Sequence, residues 1–148
     1  MLRSALLVST ALLCLASLSC QSYTSGLTQS VTRVDETVAT GTLRTIASAQ
    51  QAYSVSNGGN YGTFQQLFEG DYLDARFRSE NPAGSTRQLK DYTFTMAVGS
   101  DAGGPYFRCN ADPIAPKEGK HFYIDSSANA LHANPTQAAS AADPLVQP

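Results

Sequence analysis

The chain contains no tryptophan, two histidines, two methionines and three cysteines among its 148 residues. So few histidines and cysteines leave little material for a metal centre or for nucleophilic catalysis. Charged residues make up only 15% of the chain, with 10 Lys and Arg against 12 Asp and Glu. That balance excludes a dense basic surface for nucleic acid and an acidic tail. No Gly-x-Ser-x-Gly, His-Glu-x-x-His or phosphate-binding glycine loop occurs. Ser, Thr, Ala, Gly, Asn and Gln fill the space instead, a composition common among exported bacterial proteins.

Long apolar runs are missing too. The longest, Ala5 to Leu18, is interrupted by Ser and Thr. It falls short of the roughly 20 residues a membrane-spanning helix needs. With Arg3 before it and Ser17-Leu18-Ser19-Cys20 after it, the stretch reads as an export signal over residues 1–19. Small residues leading into a cysteine resemble the lipobox of bacterial lipoproteins, whose cysteine is acylated and becomes the mature N-terminus. That resemblance makes Cys20 a lipidation site and the protein a membrane-anchored lipoprotein, periplasmic or on the outer surface. A lipobox favours leucine three places before the cysteine, and Ser17 stands there. Ordinary secretory cleavage, with Cys20 removed or left free, is the alternative. Cys14 lies within the signal. Cys109 then has no partner and reads as a small buried hydrophobe.

Residues 20–30 are polar and rich in Ser and Thr, a tether. Val31, Val34, Val38, Leu43, Ile46 and Tyr53 recur at helical spacing, which predicts a helix over about 31–55. Gly41 is its weak point, where a bend or break is expected if there is one. Asn57-Gly58-Gly59-Asn60 stops it. Thr63 caps a short second helix that Gly70 ends. Residues 79–90 read as a loop. Tyr92, Phe94, Met96 and Val98 alternate with smaller or polar residues, a half-buried strand. Ser100 to Gly104 turns the chain into a second strand from Pro105 to Ile114, and His121 to Asp125 forms a third. Ala130-Leu131-His132 follows a tight turn. The predicted class is α+β: a long N-terminal helix packed on a three- to four-stranded antiparallel meander over residues 31–133. Residues 134–148, with three prolines, read as a flexible Pro/Ala-rich tail.

Several stretches, in order, resemble the globular head of type IV pilin-like proteins, in particular the pseudopilins of type II secretion. Thr42-Leu43-Arg44-Thr45-Ile46-Ala47-Ser48-Ala49-Gln50-Gln51-Ala52-Tyr53 is similar to the end of the pilin helix. Gly59-Asn60-Tyr61-Gly62-Thr63, then Gln66-Leu67 and Gly70-Asp71-Tyr72-Leu73-Asp74, are similar to the turn and short helix that follow it. Asp91-Tyr92-Thr93-Phe94-Thr95 resembles the first strand, and Ala111-Asp112-Pro113 a recurring Ala-x-Pro. Phe122-Tyr123-Ile124-Asp125 with Ala128-Asn129-Ala130-Leu131 resembles the last hairpin. The resemblance covers about residues 31–135. It implies a non-enzymatic structural or interaction protein of the bacterial cell envelope, with pilus or secretion proteins as partners.

The departures are informative. The glycine-bounded processing site, the glutamate just after it and the long apolar helix of a pilin are all missing. Val31 to Thr40 carries Arg33, Asp35 and Glu36, which lipid would not accept cheaply. The head is expected on a different anchor, the acylated Cys20, and filament polymerisation is not expected.

Candidate chemistry is sparse. His121 and His132 with Asp125 form a conceivable metal set, though histidines at strand ends are common structural residues. Asp125 and Asn129 lie in a loop with oxygen donors at alternate places, and some pseudopilins bind calcium in such a loop. The same spacing suits an Asx turn closing a hairpin. The tyrosines at 53, 61, 72, 92, 106 and 123 suit either a binding face or the rim of a small sheet. No catalytic residue is assigned. The alternative class is a small-ligand-binding or enzymatic periplasmic lipoprotein reusing the same scaffold.

Overall fold

A computed structural model describes residues 30–78, 81, 83–115 and 119–147. The export signal, Cys14 and Cys20 lie outside the described residues. Two compact units divide the chain at Val34, and all elements discussed below apart from residues 30–34 belong to the second, Asp35–Pro148. The element order is α1 (30–56), α2 (Phe64–Glu69), a 3-10 turn (Ala75–Phe77), then β1 (Thr86–Leu89), β2 (Tyr92–Asp101), β3 (Gly104–Pro113), β4 (His121–Asp125) and β5 (His132–Asn134). The protein is α+β, with one long helix and a five-stranded antiparallel sheet in the sequential order β1-β2-β3-β4-β5.

Helix α1 runs unbroken through Gly41. Its buried face is Ala39, Leu43, Ile46, Ala47, Ala49 and Gln50. These positions keep the three- and four-residue spacing of a single helical stripe. Val31 and Val34, expected on that stripe, are 54% and 57% exposed. The helix ends where Gly58 and Gly59 take φ of +63° and +85°, which L side chains rarely adopt, and Gly59 N–H caps Ser54 C=O at 2.9 Å. Helix α2 opens with a reciprocal capping box. Gln66 N–H donates to Thr63 Oγ1 at 3.3 Å, and Thr63 N–H donates to Gln66 Oε1 at 2.8 Å.

The sheet puts Phe94 opposite Ala111 and Ala111 opposite Phe122, so large and small side chains alternate across three strands. Met96 faces Cys109, which faces Ile124. These residues form one core with Leu43, Ile46, Phe64, Leu67 and Phe77. Each fully buried large side chain contributes about 1.5–3 kcal/mol by leaving water. Glu36 ties α1 to the start of β4, accepting the Lys120 backbone N–H at 3.1 Å and facing its ammonium at 3.5 Å.

Three expectations are corrected. The sheet has five strands, not three or four. The added first strand, β1, occupies part of the stretch read as a loop and pairs with β2 from Thr86↔Thr95 to Leu89↔Tyr92. Segment 134–147, read as a flexible tail, folds back onto the sheet. Asn110 Nδ2 donates to Ala139 C=O at 2.7 Å, Asn134 Nδ2 donates to Asp143 Oδ1 at 2.7 Å, and Leu145 bridges to His132. These bonds, and the burial of Ala139, hold a segment whose composition alone suggests a loose end.

Candidate functional site

Asp125 ends β4 and its carboxylate closes the turn that follows. Oδ1 accepts the Ser127 N–H at 2.9 Å and the Ser127 hydroxyl at 2.6 Å, while Oδ2 accepts the Tyr123 hydroxyl at 2.9 Å. Burial acts to raise the Asp125 pKa, but the bonds from Ser127, Tyr123 and the Ala128 backbone outweigh it and hold the carboxyl below its ordinary value. Burial and the same bond push the Tyr123 phenol up to about 12. Asn129 takes the left-handed conformation, φ +50°, and its N–H donates to the Asp125 carbonyl at 3.2 Å. The bond joining Asp125 and Asn129 thus runs through the backbone, while the Ser127 N–H on Asp125 Oδ1 is the Asx turn. Among the described residues, no three His, Cys, Asp or Glu side chains group as metal ligands would.

The two histidines are separated in role. His121 Nδ1–H donates to Asp112 Oδ1 at 2.6 Å at the start of β4. His132 Nδ1–H donates to the Asp143 carbonyl at 2.6 Å and pins the returning segment. Cys109 is a free thiol in the core, and burial raises its pKa well above the ordinary thiol value. A buried neutral thiol is a poor nucleophile.

Arg87 is a buried residue that the local sequence pattern does not mark. It is 4% exposed, on the edge strand β1. Its Nε–H donates to Phe77 C=O at 2.7 Å, and Nη1 donates to Gly84 and Thr86 C=O at 2.9 and 2.7 Å. The guanidinium lies 5.0 Å from the Phe64 ring centroid. This arginine fastens the 3-10 turn and the loop to β1, and burial lowers its pKa.

A cleft of about 310 Å³ opens where the β2–β3 hairpin meets the turn after β4. Tyr61, Asp101, Tyr106, Arg108, Asp125 and Ser126 contribute to its walls. Tyr106 crosses the sheet opposite Gly99, where even a Cβ would stand 2.9 Å from the phenol oxygen. Arg108 lies over the Tyr106 ring, its guanidinium carbon 4.5 Å from the centroid. Its Nη2 is 3.9 Å from Asp101 Oδ2, and Asp101 Oδ1 accepts the Gly103 N–H at 2.8 Å. Tyr61 packs edge-on against Phe107 at 5.1 Å, and Ser126 Oγ accepts the Phe107 N–H at 3.4 Å. The sequence marks Tyr61 and Tyr106 within a larger tyrosine set but misses the Arg108–Asp101 pair. The signal lay in the tight turn after Asp101, because antiparallel pairing across it puts Gly99 opposite Tyr106 and Ala97 opposite Arg108. A second hollow, of about 360 Å³ beside Phe64, Met96 and Val98, has no charged residue in its lining.

No family model, no curated protein and no solved structure matches the chain.

Proposed function

We propose that this is an exported, non-enzymatic lipoprotein whose pilin-like head is held at a membrane by acyl chains on Cys20 and docks pilus or secretion proteins of the cell envelope. The observation that carries the reading is how the reactive residue types are spent. Cys109 is sealed in the core, His121 is tied to Asp112, His132 is tied to the returning backbone, and Asp125 closes a turn. Each fixes the fold, which suits a head built to be presented. The order of long helix, short helix and antiparallel meander agrees in outline with the resemblance to pilin-like heads. Fold alone does not assign the role.

A ligand-binding lipoprotein on the same scaffold is the second reading, favoured by the cleft around Arg108. Cross-linking in cells, followed by capture from detergent-solubilised envelope, separates the two. Docking predicts recovery of a pilin, pseudopilin or secretion component. Recovery of a bound small molecule with no such protein would reject the docking reading in favour of the second.

A further inference from the structure

The geometry points to the cleft beside the β2–β3 hairpin as a binding site for a neutral saccharide. The Arg108 guanidinium is a planar fork of five N–H donors. Among the described residues it makes no hydrogen bond. Its approach to Asp101 Oδ2, 3.9 Å, leaves both groups beyond hydrogen-bond length. The two therefore stand side by side as an open donor and an open acceptor, with the guanidinium carbon over the Tyr106 ring at 4.5 Å from its centroid. Ser126 accepts the Phe107 N–H and keeps its own proton to donate. A sugar hydroxyl both donates and accepts, so adjacent hydroxyls fit such a mixed rim better than a group of one character.

Charge narrows the class further. Arg108 is opposed by the carboxylates of Asp101 and Asp125, so the cleft carries a net negative charge and repels phosphate or carboxylate ligands. The Tyr61 ring supplies apolar surface for the C–H face of a sugar, whereas the Tyr106 ring is covered by Arg108 and backed by Gly99. The volume is at the small end of ligand sites, room for a terminal sugar with the remainder of a chain in solvent. The inference rests on the cleft alone and holds with or without a lipid on Cys20 or an envelope protein partner.

The test is an amide NMR titration of the isolated protein with chitotriose and, separately, maltotriose, using inorganic phosphate and putrescine as charged probes. Saturable shifts with at least one of the two saccharides, centred on Gly103, Gly104, Arg108 and Ser126, are expected. Arg108→Ala and Asp101→Asn should each weaken that binding by about tenfold, the loss of a hydrogen bond to a charged group. Both side chains are more than half exposed, so the core spectrum should stay unchanged; Arg108→Gln replaces the alanine variant if it does not. No saturable shift with either saccharide overturns the proposal. So does binding of phosphate or putrescine alone, or saccharide binding that both substitutions leave intact.

Discussion

Gln50 and Gly62 clasp each other inside the core. Gln50 Nε2 donates to the Gly62 carbonyl at 2.6 Å, and Gly62 N–H donates to Gln50 Oε1 at 2.9 Å. The same amide nitrogen also reaches Met96 Sδ at 3.1 Å. A helix side chain thereby takes the place of a strand partner for a loop backbone and fixes where the chain leaves α1 for α2. Gln50→Ala strands both backbone groups of Gly62 away from water. The expected loss is about 2–5 kcal/mol. Urea unfolding should show a lower midpoint with an unchanged slope.

Ile46 is fully buried on α1, and Val55, on the same helix, is 86% exposed. Ile46→Asp puts an unpaired carboxylate in the core and should cost more than about 4 kcal/mol, enough to unfold a small domain. Val55→Asp should stay within about 0.5 kcal/mol of the parent. Melting temperatures of the two variants check the helix face. Equal effects would show the wrong face buried.

Asp125 makes stability depend on acidity. Its folded pKa lies below the ordinary 3.8, so the unfolded state takes up protons first as pH falls. The stabilisation is therefore complete well above 3.8 and is lost as pH drops through the folded value. Asp125→Asn should destabilise the protein at neutral pH by about 1–3 kcal/mol, since two hydroxyl bonds and two backbone bonds lose their charged acceptor. The gap between parent and variant should close in acid. Parallel stability curves across the acid range would contradict this.

Cys109 has no exposed surface and a raised pKa. Alkylation of the peptide that contains it, followed by mass spectrometry, should be negligible in the native protein and rapid in denaturant. Native-state labelling at the rate of a free thiol would mean that the core opens around β3.

Much of this fold is legible in the sequence, because its main elements carry strong local signals. The Thr63 cap, the period-two run in β2 and the span of β4 all appear where the residue pattern places them. The elements that are hidden depend on distant partners. β1 is the four residues Thr86–Leu89, with no alternation to read and an arginine at its buried position. Arg87 is buried only because Phe64 and the carbonyls of Phe77, Gly84 and Thr86 surround it, and they come from separate segments. The return of the last segment depends in the same way on Asn110 meeting Ala139 and on Asn134 meeting Asp143. Val31 and Val34 mislead for the opposite reason: they keep helical spacing but are exposed. At the cleft, Tyr61 and Tyr106 are visible as residue types, whereas the approach of Arg108 to Asp101 depends on hairpin register.

The central claim, a head held at a membrane through Cys20, is tested most directly by metabolic labelling with a clickable palmitate analogue. The account predicts that the parent protein is labelled and sediments with membranes, and that Cys20→Ser is unlabelled. Equal labelling of the two, or no labelling of the parent, would contradict it.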